Sequence, residues 1–295
     1  MDGKLWNEIY HKVMTIEYPK PTENVTHSDR VIVLVKLRAS ADNQTVSWAC
    51  RAENWIGLGK PEQLPSQPTM SRRLRTVPVK TLLDTIEQWL RSFSLNGERV
   101  QSVDGRPLTI SPYSKDPDAR WGYAFKCLGF GYKIHAIWGS APVPQVWALR
   151  PMNASESTVA ERSLAPCLPL AKGKRYIVGD SSFDTNCLYG ALANRGYQLL
   201  APPKRPGKNL GHRRHHPARV CGLALLAKPY GRYLYRQRGQ IERLFGNWAV
   251  RSEGLSELPA HVRRLHRVQQ FVQAKIILNG FRILHNRQTN LSRAA

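Results

Sequence analysis

The sequence predicts an α+β chain, with an N-terminal all-α bundle followed by a mixed α/β domain of three layers. Two observations carry this. Helical periodicity dominates up to residue 96 and then gives way to short, β-prone runs. After those runs the order becomes helix, strand, helix, strand and a final helix, which buries a sheet between helices. The 295 residues suffice for one large domain or two ordinary ones. The expected division is an extension at 1–27, a helical domain at 28–96, an α/β domain at 97–260, and a C-terminal helix and tail at 261–295.

Residues 1–25 are mixed and proline-bearing, with little periodicity. Ser28 is a helix cap with Asp29 in the first turn, ahead of the apolar run Val31, Ile32, Leu34, Val35 and Leu37. A polar break at 42–44 precedes a second short segment at 46–52. In LPSQPTMSRRLRT, Ser66 caps a helix that tolerates Pro68 in its first turn and buries Met70 and Leu74, four residues apart. Gln67, Thr69, Ser71, Arg72, Arg73 and Arg75 then face outward. Two short helices, a turn and a helix opening with Gln, Thr, Ser and Arg are what a helix-turn-helix presents to the DNA major groove. The competing reading is a small bundle whose basic face is merely solvated. Residues 81–93, apolar at Leu82, Leu83, Ile86, Trp89 and Leu90, close the bundle, and Asn96 and Gly97 end it.

Beyond that point residues 99–110 alternate loosely and carry Asp104 within VDG. Residues 123–135 have Gly129 and Gly131 as turn points, and 134–138 and 146–149 are β-prone runs, so three antiparallel strands are expected in sequence. Residues 156–164 form a helix. RYIVG, at 175–179, is a compact buried strand ending directly at Asp180. A helix at 185–195 stops at Gly196, and 197–201 is another strand. In such a sheet, residues just past strand ends lie at the ligand crevice, where Asp180 falls. Residues 202–219 are basic and punctuated by Pro and Gly, which reads as a mobile loop. The amphipathic segment 262–284 is expected behind the sheet. This element order is that of a ribonuclease-H-like fold.

Lys and Arg outnumber Asp and Glu by 44 to 21, for a formal charge of +23. A surplus that large points to a polyanion, most simply nucleic acid. An anionic membrane is the weaker rival, because no apolar run of spanning length and no signal peptide is present. Hydrophobic residues make up 42% of the chain, which excludes global disorder. Five cysteines without CxxC spacing read as reduced, mostly buried thiols of an intracellular protein, and a cytoplasmic, nucleoid-associated location is expected. His212, His215 and His216 with Cys221 lack the compact pairs of a zinc site and read as a solvated cluster facing DNA.

Residues 185–241 contain no Asp or Glu, and Glu242 follows among Lys228, Arg232, Arg236, Arg238 and Arg243. Helical spacing gathers Tyr235, Arg238 and Glu242 in one stripe, beside the apolar stripe Leu234, Ile241, Phe245 and Trp248. Glu242 could simply pair with Arg238 at i−4, or hold a divalent metal against a polyanion. Of the eight acids between residues 99 and 250, Glu156 and Glu161 fall on an ordinary helix, and Asp116 and Asp118 flank a loop proline. Asp104 in a first strand, Asp180 at the end of a later one and Glu242 on a helix stand apart. Three such hard oxygen donors suit two Mg²⁺ ions. Asp184, at a helix start, more simply caps or orients.

The order VDG…GDSSFD…YRQRGQIE resembles insertion-sequence transposases of the DDE class. Asp180, Phe183 and Asp184 match the family's D-x-x-[FY]-[DS] context, and Tyr235, Arg238 and Glu242 its Y-x2-R-x3-E signature. The signature's Lys falls at Ala249. The likeness covers roughly residues 28–285. It implies a ribonuclease-H-like catalytic domain that cleaves transposon ends and joins the 3′-hydroxyl to target DNA. It further implies Asp104, Asp180 and Glu242 as ligands of two Mg²⁺ ions, with Mn²⁺ able to substitute, and a homodimer on double-stranded DNA. Tyr235 and Arg238 would position the DNA, Lys204, Arg205, Lys208, Arg213 and Arg214 would track its backbone, and the helix carrying Gln67 to Arg75 would read the ends. A second expectation, favoured by Ala249, is a DNA-binding protein or repressor that keeps the fold without turnover. A third is a structure-selective nuclease.

Overall fold

The structure, a computed structural model, describes residues 2–19, 25–94, 98–205, 214–250, 254–255 and 258–294. The chain forms two compact units, one from residues 1–93 and 247–295 and one from 94–246.

The first unit is helical. Helix α1 (Gly3–Thr15) is capped by Asp2, whose carboxylate accepts the Lys4 N–H at 3.0 Å, and it buries Leu5, Trp6, Ile9 and Val13. Helix α2 (Asp29–Ala41) is buried on all sides from Ile32 to Ala41, so it is the central helix of the unit. The short α3 (Val46–Ala49) and α4 (Gln67–Arg73) follow. As expected, α4 has Ser66 at its N-cap position, Pro68 in its first turn, and Met70 and Leu74 buried. Helix α5 (Val77–Arg91) begins earlier than its apolar spacing suggests, because Pro78 is tolerated in its first turn.

The segment 265–294 forms one last helix of 30 residues. It packs against α1, α2 and α5 rather than behind the sheet, which corrects the expectation above. Burial explains the difference: residues 274–282 are covered all round, whereas a helix lying on a sheet buries one stripe. Gln270 Nε2 donates to the Leu74 carbonyl at 2.8 Å and Gln273 Nε2 to Asp84 Oδ1 at 2.7 Å, which pins the helix in the bundle.

Lys36, on α2, is a cation at 8% exposure, and burial pushes its pKa down to about 8. Below that pH the ammonium is charged in the fold at a desolvation cost that the unfolded chain escapes. Lys36→Met is therefore expected to raise unfolding free energy at pH 7 by about 2 kcal/mol. The gain should shrink as pH rises from about 8 towards the ordinary lysine range, where both states are neutral. Urea titrations of both proteins across that window check it.

The second unit is a mixed α/β structure around one six-stranded sheet. Strand β1 (Val100–Thr109) lies at its centre. β2 (Arg120–Ala124) and β3 (Cys127–Trp138) form a hairpin, with β3 antiparallel to β1. β4 (Val146–Pro151) pairs with the second half of β3. Four antiparallel strands thus replace the expected three, and 134–138 is the end of β3 rather than a separate strand. The hairpin turns at Phe125 and Lys126, both at positive φ, and not at the glycines. Gly131 stands inside β3 at φ +148°, where a Cβ would come within 2.3 Å of the Leu108 carbonyl.

Helix α6 (Glu156–Val159) continues through a wider turn at Ala160–Leu164 and leads to β5 (Arg175–Val178), which runs parallel to β1. Then come α7 (Asn186–Ala193) and β6 (Tyr197–Leu200), parallel to β5. The expected loop up to 219 gives way at Pro217 to α8 (Pro217–Ala227). Helix α9 (Pro229–Arg236) and α10 (Gly239–Val250) complete the order.

Alternation along the strands assigns the faces. Val103, Ile177 and Leu199 pack with Leu164, Phe183, Leu188 and Leu192 on one side. Val100, Tyr176, Val178 and Leu200 pack with Leu225, Leu226 and Leu234 on the other. The sheet is therefore the middle of three layers.

Candidate active site

Strand register places the first two acids. Val100 pairs with Tyr176 and Ser102 with Val178 in the parallel β1–β5 ladder. Two residues beyond the last pair stand Asp104, still within β1, and Asp180, just past the end of β5. A step of two keeps both on the face of Val100 and Val178, the face covered by α9. Asp180 leaves β5 directly and caps a single 3-10 turn (Ser181–Phe183), its Oδ1 accepting the Ser182 N–H at 2.7 Å.

The third acid arrives by a route that differs from the sequence reading. Tyr235, Arg238 and Glu242 are not on one continuous helix: α9 ends at Arg236, Gln237 and Arg238 form a turn, and α10 starts at Gly239. The turn is closed by i→i−3 bonds, Arg238 N–H to Tyr235 O at 3.0 Å and Ile241 N–H to Arg238 O at 3.2 Å. These tight turns still gather the three side chains. Leu234, Ile241, Phe245 and Trp248 are buried as the apolar stripe requires. Phe245 meets Trp138 edge-on at 5.9 Å, and its carbonyl accepts from Arg106 at 3.0 Å.

Arg238 links the three acids. Its Nη2 lies 3.1 Å from Glu242 Oε1 and 3.9 Å from Asp180 Oδ2, and its charge acts on Asp104. The i−4 pair between Arg238 and Glu242, one of the two alternatives in the sequence, is present. Tyr235 lies beside the same guanidinium, with its hydroxyl pKa raised chiefly by burial. Burial also pushes the Asp104 carboxyl up to about 6; the Gly105 N–H that it accepts at 2.8 Å opposes this, Glu156 and Asp180 add to it, and Arg238 relieves it.

Carboxylates from the middle of β1, the end of β5 and α10 are of the type that suits a hard divalent cation, and the Asp104 carboxyl is held high in pKa chiefly by burial. Side-chain exposure of 56% leaves Glu242 room to turn towards the other two. Among the described residues, no three His, Cys, Asp or Glu side chains stand close enough together to hold an ion before such a turn.

Glu156, on what the sequence marks as an ordinary helix, is engaged rather than idle. Its Oε1 pairs with Lys133 Nζ at 2.9 Å and its Oε2 accepts the Ser182 hydroxyl at 3.1 Å. It presses against β1 so closely that a Cβ on Gly105 would fall 3.1 Å from Oε1. It thus ties β3 to the turn that follows Asp180. The signal in sequence was Ser182 itself, a hydroxyl two residues beyond an acid, but its partner is 26 residues away.

Asp184 does different work from Asp180. Its carboxylate is 1% exposed, grips Arg219 with both oxygens at 2.6 and 2.7 Å, and accepts the Lys204 N–H at 3.1 Å. It orients these groups and does not cap α7, whose N-cap is Thr185. Of the basic positions, Lys204, Arg205 and Arg214 are exposed, and Lys208 and Arg213 lie outside the described residues. The histidines are not a solvated cluster: His216 caps α8 by accepting the Ala218 N–H at 3.2 Å, and His215 meets Arg219 at 2.6 Å. His212 lies outside the described residues.

In the helical unit, Gln67, Arg72 and Arg75 are exposed, and Thr69 and Ser71 are half-buried. Arg73 is not available as an outward contact. It pairs at 2.5 Å with the buried Asp29, which also accepts the Tyr18 hydroxyl at 3.0 Å, because a carboxylate at 3% exposure requires a counter-charge.

Residues 95–278 match the family described as the transposase DDE domain. The chain belongs to that family. No curated protein and no solved structure gives a significant match. As a transposase DDE domain, the chain is of a class that acts on DNA and uses divalent metals. Among its described residues no helix is long and apolar enough to cross a membrane.

Proposed function

We propose that the chain is the transposase of an insertion sequence. It binds the terminal inverted repeats, cleaves DNA strands there and transfers the 3′-hydroxyl into target DNA. The observation that supports this reading is Arg238, in the turn between α9 and α10, whose guanidinium lies 3.1 Å from Glu242 and 3.9 Å from Asp180 and whose charge acts on Asp104. The strand order β4-β3-β1-β5-β6, three antiparallel neighbours followed by two parallel ones, supports a ribonuclease-H-like domain with β2 as an extension of its hairpin.

Asp104, Asp180 and Glu242 would hold two Mg²⁺ ions, with Mn²⁺ able to substitute. Bound there, the ions activate the attacking water or 3′-hydroxyl and stabilise the leaving oxygen. Arg238 is the counter-charge of Asp180 and Glu242, and would be free to pair with a phosphate where bound cations took over that role. Tyr235 flanks that phosphate and stacks on the DNA. Lys204, Arg205 and Arg214 track the backbone, as Lys208 and Arg213 would from the segment between them. Gln67, Thr69, Ser71, Arg72 and Arg75 on and after α4 read the ends, in a helix-turn-helix arrangement. Two ends must be brought together, so the working form is a homodimer.

Linear DNA bearing the element's ends, incubated with Mg²⁺ or Mn²⁺, tests this: nicking at the ends followed by joining to a target is expected. Ala249 favours the second reading, a DNA-binding repressor, for which the same DNA is bound but never cut. Cutting without preference for the ends would instead mark a structure-selective nuclease.

Glu156 is a positioning residue in this scheme. Glu156→Gln keeps a hydrogen bond to Ser182 but loses the ion pair with Lys133. Cleavage at low Mg²⁺ should fall by roughly 10-fold to 100-fold, with the half-saturating Mg²⁺ concentration raised, as for outer partners of metal ligands. Recovery of the rate at high Mg²⁺ with an unchanged melting temperature separates positioning from a fold defect.

A further inference from the structure

The helical unit contains a cavity of about 230 Å³ between α2, α3, α4 and the last helix. Its charged lining is of one sign. Lys36 lies on its wall with Arg75, Arg267, His261 and His266, and no Asp or Glu is among the described lining residues. The remaining polar groups include Thr45, Ser47 and Ser71, whose hydroxyls can donate.

Lys36 is the decisive member. It is more than nine-tenths buried, and no described carboxylate lies within ion-pairing distance of it; the Phe271 ring, 5.7 Å away, is its described electrostatic partner. An ammonium in such a place is normally paired, because isolated burial is costly. His261 is held below its ordinary pKa range by burial and then by the Lys36 charge, against a backbone bond from Gln44. The cavity therefore gathers three cations, Lys36, Arg75 and Arg267, beside two imidazoles, and is open to a ligand of opposite charge.

We propose that this cavity binds a phosphate group, with Lys36 as the buried cation and Arg75 and Arg267 as donors around it. The phosphate comes either from the DNA backbone beside α4 or from a free nucleotide or inorganic phosphate. The first source rests on the end-binding reading above, and the second does not.

The test uses the full chain as wild type, Lys36→Met and Arg267→Gln. In one arm, a duplex carrying the element's end is titrated without divalent metal over a salt series. A backbone phosphate in the cavity predicts that Lys36→Met and Arg267→Gln each lower the slope of log affinity on log salt by about 0.9, and affinity near 0.1 M salt by roughly tenfold. This arm contains no divalent metal and reads binding alone, so failure of the catalytic reading leaves it intact. In the other arm, millimolar inorganic phosphate or dAMP should raise the melting temperature of wild type and not of the variants, if the source is free phosphate. Arg267 is exposed, so Arg267→Gln decides should Lys36→Met fail to fold. Variants indistinguishable from wild type in both arms would overturn the proposal.

Discussion

Asp180→Ala should reduce Mg²⁺-dependent cleavage by at least ~10³-fold while leaving the fold essentially intact. The rate loss follows from removing one of three ligands to ions that stabilise several kcal/mol of transition-state charge, since about 4 kcal/mol corresponds to that factor. The mild effect on stability follows from geometry. The Asp180 carboxylate is 37% exposed, its contact with Arg238 is at 3.9 Å, and what it gives the fold is a capping bond to Ser182. Asp104→Asn should be as inactive but with a different stability signature. The Asp104 carboxyl is raised to about 6 in the metal-free fold, so its contribution to stability is full below the unfolded carboxylate range and lost as pH rises through 6. At pH 7 the asparagine variant should thus be more stable than metal-free wild type by about 2 kcal/mol, and at pH 4 no more stable. A chemical denaturation series in chelator, set beside single-turnover cleavage, reads both.

Asp184→Ala should have the opposite profile, a loss of about 3–5 kcal/mol in stability. Its carboxylate is almost fully covered and satisfies both Arg219 and the Lys204 backbone N–H, so deletion strands a guanidinium that is itself 14% exposed. Arg219→Met strands the carboxylate and should cost a similar amount. The double variant should lose less than the sum, because each single change leaves an uncompensated charge that the pair does not. An inactive but stable Asp184→Ala would contradict this and return Asp184 to consideration as the second ligand.

Much of the second unit was legible in order and little of it in detail. β5 and β6 declared themselves as short apolar runs, the first closed by Asp180 and the second opening after Gly196, and α4 by Ser66, Pro68 and the Met70–Leu74 spacing. The hairpin at Phe125–Lys126 was missed because neither residue advertises a left-handed backbone, whereas Gly131 did and proved to be a strand residue under a close carbonyl. The last helix was misplaced because an amphipathic pattern says that a face is buried, not against what. Its buried Lys275, Asn279 and Arg282 mark a helix surrounded by others.

Among the proposed ligands, Asp180 at a strand end and Glu242 as an isolated acid in a basic run stand out in one dimension, and Asp104 only as an acid within a first strand. Glu156 could not, because its importance lies in touching Lys133 and Ser182 across the sheet. Arg73 was misread for a similar reason: an arginine on a basic helix looks like a DNA contact until a buried Asp29 claims it. The break between α9 and α10 was hidden by the fact that two tight turns preserve much the same gathering of side chains as a helix.

The central claim is that Asp104, Asp180 and Glu242 jointly hold divalent cations. Anomalous diffraction from crystals of the chain on its end DNA, grown with Mn²⁺ and a blocked 3′-hydroxyl, tests it directly. The account predicts manganese peaks within about 2–2.5 Å of carboxylate oxygens of all three residues, with the Arg238 guanidinium moved off Glu242 towards a phosphate. Manganese bound elsewhere, or a site that leaves Arg238 paired with Glu242 and engages fewer than these three acids, would contradict it.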